Sequence, residues 1–370
     1  MKGSAYDIVV IGGGLVGAAI AYGLAGASRR VAMLDEGDRA VRAARGNFGL
    51  IWVQGKGIDL PVYAAWTRLS TRRWPELAAS LLEETGIDVA LDQRGGVHVC
   101  LSEREFSARA QLVERARLLP GAAAIEMVDH AALTRLLPGI GREIAGASFC
   151  ADDGQVNPLR MLQALHAAFK ARGGTAVSEC VVRKVTLQGG GFRLTTALGP
   201  IDAAQVVLAA GLGNAGLAPQ LGLSAPVHAQ RGQIIALERM PPLLPLPIET
   251  LRQTDAGTVL AGDSHEDIAS TDTSTGVLSA IAARAVRTLP QLAAARVVRC
   301  WGALRVLSPD GYPIYQQSLT SPGAFLATCH SGVTLAAAHA FELAPQIAAG
   351  MLSATLAPFS SDRFDVVATV

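Results

Sequence analysis

Apolar and polar positions along this chain change period from segment to segment. Tyr6–Ile11 is a short β-branched run bounded by glycine, and Val31–Leu34 is a second; both predict strands. Between them Leu15, Ala18, Ala19, Tyr22 and Ala25 recur at helical spacing, predicting a helix over Leu15–Ala25. Residues 60–84 repeat the helical period with Tyr63, Trp66, Leu69 and Leu77 on one side, until Gly86 stops it. Strands around Gly95–Gly96 are expected within 87–101, then an amphipathic helix from Glu103 to Leu118. A second strand–helix rhythm starts near Val156. Asn157–Pro158 suits a helix start, the helix runs to about Ala171, Gly173–Gly174 ends it, and Ala176–Val185 reads as a strand. Asp202–Ala210 is apolar almost throughout, as a buried central strand should be. Pro241, Pro242, Pro245 and Pro247 mark residues 239–247 as a loop, and the last elements are a strand at Ala324–Thr328 and a helix from about Thr334 to Ala349. Pieces of a nucleotide-binding sheet thus occur at the start, middle and end of the chain, which predicts an α/β fold with a discontinuous domain and inserted segments.

Composition narrows the field. Half of the 370 residues are apolar and only 17% are charged, which excludes a disordered or coiled-coil chain. A net charge of +1, with no long run of either sign, argues against nucleic acid or an anionic membrane as main partner. Cys100, Cys150, Cys180, Cys300 and Cys329 are scattered and form no CxxC pair, so no zinc ribbon or self-contained iron–sulfur site is coded and no metal is expected. Reduced thiols in the cytoplasm are the plain reading. Ile8–Ala27 is twenty residues without a charge, preceded by Lys2, and so invites a membrane-span or signal-peptide reading. Six of the twenty are glycines, and Asp7 borders the run. They divide it into a strand and a helix, and no transmembrane segment is expected.

The strongest local signal is Gly12-x-Gly14-x-x-Gly17 between that strand and that helix. The first glycine allows the tight turn, the second lets backbone approach a pyrophosphate, and the third lets helix and strand pack closely. Leu15 and Val16 then open a helix whose free N–H groups suit phosphate. Asp35 follows Gly12 by 23 residues, near the ~20 expected of a carboxylate that bonds a ribose 2′-OH. Glu36 beside it reads more simply as a solvated strand-end acid. An acid here disfavours NADP, but the fingerprint does not decide between NAD and FAD. Val206–Gly211 ends in the small residues Ala210 and Gly211, which suit either a return to the dinucleotide or an ordinary buried strand end. Arg45-Gly46-Asn47-Phe48-Gly49-Leu50-Ile51 makes an irregular loop where backbone can approach a flat ring.

With these motifs the sequence resembles the FAD-dependent amino-acid and amine oxidoreductases that include glycine oxidase, sarcosine oxidase and D-amino-acid oxidase. The likeness runs through nearly the whole chain: Asp153-Gly154-x-Val156-x-Pro158, Arg231-Gly232-Gln233, Trp301-Gly302-Ala303-Leu304-Arg305, Ser308-Pro309-Asp310-Gly311-Tyr312-Pro313 and His330-Ser331-Gly332-Val333-Thr334-Leu335. Gly46–Gly57 and Cys329–Ala337 look most like the β subunits of heteromeric opine oxidases, hydroxyproline dehydrogenases and hydrogen cyanide synthase.

The resemblance implies a Rossmann-type FAD-binding domain from 1–85, 151–222 and 311–370, with an α+β substrate domain from 86–150 and 223–310. It implies oxidation of an amino or imino acid by hydride transfer from Cα to flavin N5, in a subunit that works beside a flavoprotein partner. An FMN between subunits and peripheral association with the respiratory chain are consistent with it. A self-sufficient peroxide-producing oxidase and a non-catalytic electron relay remain as alternatives. Gly12, Gly14, Leu15, Val16, Gly17, Asp35, Glu36, Arg45, Gly46, Asn47, Gly49, Leu50, Val182, Ala210, Gly211, Gly302, Ser331, Gly332, Val333 and Thr334 are expected around the FAD. Arg305 matches the arginine that holds substrate carboxylate in glycine oxidase; its bland alternative is an ion pair with Asp310. His330 and His265 are further candidates at the substrate, His330 otherwise capping the next helix and His265 otherwise lying on a surface turn with Glu266. Tyr315 and Trp301 suit either a pocket wall or the core. Ala303 stands where sarcosine oxidases attach flavin through cysteine, so the FAD is expected to be non-covalent. Among the four lysines only Lys56 lies in a flavin-proximal motif, and weak oxygen reactivity is expected.

Overall fold

The computed structural model describes residues 6–26, 28–37, 43–121 and 123–365. Lys2 and Ala27 lie outside the described residues, as do the outermost positions of the 1–85 and 311–370 segments. The last four residues of β1 (Tyr6–Ile11) are buried, and so is all of β2 (Val31–Leu34), because the sheet they form is covered on both faces. Among the described residues that sheet has eight strands. β1 pairs in parallel with β2 on one side and with Gly199–Leu208 on the other. Thr175–Val177 extends the sheet beyond β2, and Ala324–Thr328 extends it beyond Gly199–Leu208, with Ile314–Gln317 antiparallel at that edge. The sequence order of these strands brings the start, middle and end of the chain together.

Helices α1 (Leu15–Leu24) and α2 (Pro61–Thr85), Pro158–Ala171 and the helical run 336–348 cover one face, burying Ile20, Tyr22, Trp74, Leu77, Phe169 and Leu343. Phe192, Leu194, Leu217 and Leu221 cover the other. A second body of strands is antiparallel: Leu251–Gln253, Thr258–Ala261, His228–Arg239 and Val297–Leu307. A bridge between Val97 and Ile248 joins it to Gly96–Cys100, Gly146–Cys150 and Ile125–Asp129. Val97, Leu137, Ile235, Leu251 and Leu289 form its core.

Most expected elements are present, with four differences. Leu69 lies on the outer side of α2, because Thr67, Arg68, Ser70 and Thr71 take the buried positions. The strand expected over 176–185 is two strands, Thr175–Val177 and Val182–Gln188, interrupted where Glu179 adopts φ +54° and the Cys180 N–H reaches the Asp35 carbonyl. Of 87–101 only Gly96–Cys100 is a full strand, while Asp92 bridges to Gln155. The last helix begins at Ala336 and not Thr334, and it widens into a π turn over His339–Leu343. Pro345 follows that turn; it has no N–H to give, and its ring would crowd the carbonyl four residues back in a regular helix.

Candidate active site

The glycine turn is a packing requirement before it is a binding feature. Gly12 has φ +107°, a left-handed conformation that a Cβ disfavours, and a Cβ there would meet the Ala209 backbone. A Cβ on Gly17 would overlap the Gly12 carbonyl oxygen, so α1 crosses β1 this closely only with glycine present. No side chain caps Gly14, and the N–H groups of Leu15 and Val16, being in the first turn, have no partner within the helix. Asp35 Oδ2 accepts the Gly13 N–H at 2.7 Å and Oδ1 accepts the Gly37 N–H at 2.9 Å. Around these groups lies a cavity of about 430 Å³, lined by Gly12, Gly14, Leu15, Val16, Asp35 and Glu36 from the first unit, Val182 from the interrupted strand, Ala210 and Gly211 from the middle strand, and Gly332 and Cys329 near the end. A long cleft with glycine backbone and an uncapped helix end at one side fits an adenine dinucleotide.

A second cavity of about 300 Å³ adjoins the first and shares Ala43, Asn47, Leu304 and His330 with it. Its walls include Gly46, Phe48, Leu50, Trp52, Lys56, Glu249, His265, Arg305, Ser331, Val333 and Thr334. Arg305 projects from Val297–Leu307, where it pairs with Gln230 across the sheet, and Nη1 donates to the Ser264 carbonyl at 2.7 Å. Asp263 stays 4.0 Å from Nη2 and is itself 2.8 Å from His265 Nε2. Asp310 does not compete for Arg305, because it pairs with Arg363 at 2.7 Å. Burial lowers the pKa of Arg305 and Asp263 partly restores it.

His330 Nε2 lies 3.3 Å from Lys56 Nζ, which also donates to Ser331 Oγ at 3.1 Å; Tyr63 donates to the same hydroxyl at 3.0 Å. Burial, and then the Lys56 charge, hold His330 well below its ordinary pKa, so the imidazole is neutral. Among the described residues its buried Nδ1 has no hydrogen-bond partner. Burial likewise lowers Lys56. The loop that carries Lys56 rests on a buried polar network. Asp153 accepts the Val53 N–H at 2.5 Å and Gln54 Nε2 at 2.7 Å, while Arg109 donates to Gln54 Oε1 and Ser148 Oγ, both at 2.7 Å.

Several expected site residues lie elsewhere. Gly302 touches neither cavity; it lies against the Thr271 carbonyl, on the face of its strand opposite Ala303. Gly49 is buried behind the loop, where a Cβ would meet the Val156 carbonyl and Arg252. Arg45 is exposed beside the cleft and lines neither cavity. Glu266 pairs with Arg231 at 2.6 Å, away from the pocket. Tyr315 belongs to the core, bonded to His339 at 2.7 Å, and Trp301 packs on the Gly46 carbonyl outside the cavities. The tight turn over 332–335 takes the place of the expected first helical turn, so Gly332 faces the first cavity and Val333 and Thr334 the second. Trp52 and Glu249 do not stand out as substrate-cavity residues in the sequence, while Lys56, expected in a flavin-proximal motif, lines the second cavity.

Residues 7–346 match the FAD dependent oxidoreductase family. The chain is 45% identical over 361 residues to an opine oxidase subunit of Agrobacterium tumefaciens (strain Ach5), covering 97% of each, and 41% identical to the corresponding opine oxidase subunit of Rhizobium meliloti, covering 97% and 98%. The fold superposes on the crystal structure of glycine oxidase from Geobacillus kaustophilus with TM-score 0.87 at 25% identity, covering 97% of this chain and 98% of that one. This chain therefore belongs to the FAD-dependent oxidoreductase family and is an FAD enzyme. Among the described residues no helix is long and apolar enough to cross a membrane.

Proposed function

We propose that this chain is the substrate-oxidising subunit of a heteromeric dehydrogenase acting on an amino or imino acid, of the opine, hydroxyproline or glycine type. The observation that carries the reading is Arg305, a guanidinium in the cavity next to the dinucleotide cleft with Asp263 no closer than 4.0 Å. Identity to proteins named as a subunit of opine oxidase supports both the substrate class and a partner subunit. The 1–85, 151–222 and 311–370 segments form the FAD-binding part in this reading, and 86–150 with 223–310 the substrate part.

The cleft residues Gly12, Gly14, Leu15, Val16 and Asp35 suit the phosphates and ribose, and the Asn47 and Gly332 loops suit the ring end. Bound there without a covalent link, FAD would supply the acceptor, at N5, for the hydride of the substrate Cα. Arg305 holds the substrate carboxylate through two parallel bonds and so decides which side of Cα faces the cleft. Arg305 and Lys56 disfavour a third positive charge between them, so the substrate amine sheds its proton; neutral His330 adds no charge there. The oxidised product is an imine, which water hydrolyses. Anaerobic titration of the purified protein with candidate amino acids tests this: bleaching of the flavin band is expected, and Arg305→Ala should weaken it by at least about tenfold. Unchanged bleaching in that variant would remove the carboxylate clamp from Arg305, absence of bleaching in the unaltered protein would return the chain to a relay role, and fast stoichiometric peroxide in air would favour the self-sufficient oxidase.

The FMN that the resemblance allows also has a cavity that suits it, about 460 Å³ in volume and behind the Phe48–Gly49 loop. Arg252 lines it, 4% exposed; among the described residues its Nε has no partner and its guanidinium meets Gln155 Oε1 at 3.4 Å, and burial brings its pKa down to about 10. Asp255 and Asp92 in the same wall are matched to Arg160 and Arg94. A phosphate there satisfies the buried charge. Flavin released from a co-expressed assembly should contain FMN, and Arg252→Gln should lose it while keeping FAD.

A further inference from the structure

The cavity that holds Arg305 has a second cation, Lys56, to which the reading above assigns no substrate group. Lys56 comes from the loop after β3 (Leu50–Ile51) and Arg305 from the antiparallel sheet, so the two reach the same 300 Å³ space from different walls. Lys56 Nζ is held by Ser331 Oγ at 3.1 Å and His330 Nε2 at 3.3 Å, both neutral groups. Among the described residues no carboxylate lies within 4 Å of it. An ammonium offers three donors, and these contacts use two. The acids in the same wall pair elsewhere, Glu249 against the His98 imidazole and Asp263 with His265, and Glu249 and Asp153 act on Lys56 only from beyond contact distance, too weakly to offset its burial. The space is also far larger than glycine needs. A partly buried lysine without a counter-ion is costly unless an anion arrives with the ligand.

We propose that Lys56 is a specificity-determining residue: it takes a second carboxylate, so that the cavity selects secondary amines carrying an acid on each arm. This rests on the assignment of Arg305 to the first carboxylate. A dicarboxylate would span from Arg305 to Lys56 and leave the amine between the two cations, where loss of its proton is favoured. Glycine or a cyclic imino acid fills one end only and leaves Lys56 unpaired.

Two thioether acids that cannot be oxidised as amines test this on the FAD-loaded protein. Thiodiacetate has two carboxylates about a sulfur, and (methylthio)acetate has one. Perturbation of the oxidised flavin spectrum, checked by calorimetry, gives each dissociation constant. Thiodiacetate should bind on the order of tenfold to a hundredfold tighter than (methylthio)acetate. Lys56→Met should collapse that ratio toward one, and Lys56→Arg should keep most of it. Equal affinities in the unaltered protein, or a ratio unmoved by Lys56→Met, overturn the proposal while leaving Arg305 in place. If Lys56→Met instead depressed turnover of iminodiacetate and sarcosine equally and shifted the pH profile, Lys56 would be acting on the amine, and the proposal would fall. Failure of both ligands to bind, or binding indifferent to Arg305→Ala, overturns it together with the reading beneath it.

Discussion

Asp35 accepts the Gly13 N–H at 2.7 Å, so the acid that ends β2 and the glycine turn that follows β1 hold each other in position. The cleft is therefore preset before any nucleotide arrives. Asp35→Ala removes acceptors from two backbone N–H groups, Gly13 and Gly37, and should cost the apoprotein about 1.5–3 kcal/mol, read as a fall in Tm. FAD affinity should drop at least tenfold or so in the same variant, since the ribose loses its carboxylate. Titration of apoprotein with FAD, followed by quenching of flavin fluorescence, measures it.

Two glycines in the same motif should behave differently. Gly17 touches the Gly12 carbonyl, so Gly17→Ala must push α1 off β1, and little soluble, flavin-bearing protein is expected. A Cβ on Gly14 meets only Ala44 Cβ, at 3.9 Å, an ordinary contact. Gly14→Ala should fold with nearly unaltered apoprotein Tm and lose FAD affinity, because its methyl faces the cleft. Equal flavin content in the two variants would contradict this division.

How much of the site is legible in the sequence depends on whether a feature is local. Gly12 and Gly17 are legible because their requirement is set by a turn and a crossing within ten residues, and Asp35 because one βαβ unit fixes its distance. Arg305 needs the family resemblance, since nothing within its strand distinguishes a carboxylate clamp from an ion-paired surface arginine; the structure removes Asp310 from contention by giving it Arg363. Gly302 is misplaced when its motif is carried over whole, because a strand turns alternate residues to opposite faces. Lys56 reaches the cavity only through packing of residues 330 and 331 from the far end of the chain, which no local pattern encodes.

Acid should destabilise the fold through buried histidines. His339 is fully buried, its Nε2 2.7 Å from the Tyr315 hydroxyl, and burial brings its pKa from 6.5 to about 3. The folded pKa is below the unfolded one, so this stability is complete above about pH 6.5 and is lost progressively as pH falls toward 3. His330 acts in the same direction. Asp153 opposes them: burial raises it to about 7, so its neutral form favours the fold below that pH and the advantage fades as pH rises from about 4 to 7. His339→Gln keeps an acceptor for Tyr315 but cannot be protonated. Between pH 6.5 and 5 it should lose about 1.6 kcal/mol less stability than the unaltered protein, the unfolded imidazole being half protonated at the upper pH. Urea denaturation at the two pH values gives the comparison, and parallel losses would exclude His339 as a source.

The cysteine to examine for covalent flavin is Cys329, not Cys300. Cys300 packs beside the core of the second body of strands and lines neither cavity, whereas Cys329 lies in the wall of the dinucleotide cleft. Proximity is insufficient, because attachment to the ring needs a thiolate, and burial pushes the Cys329 thiol up to about 12. At neutral pH almost none is ionised. Ala303, at the place where sarcosine oxidases use cysteine, offers only a methyl group. Acid precipitation should therefore leave the yellow colour in the supernatant. A coloured pellet, made colourless by Cys329→Ser, would mean that bound flavin lowers that thiol's pKa by several units, and the cavity electrostatics described above would need a cation nearer to Cys329 than Lys56 provides.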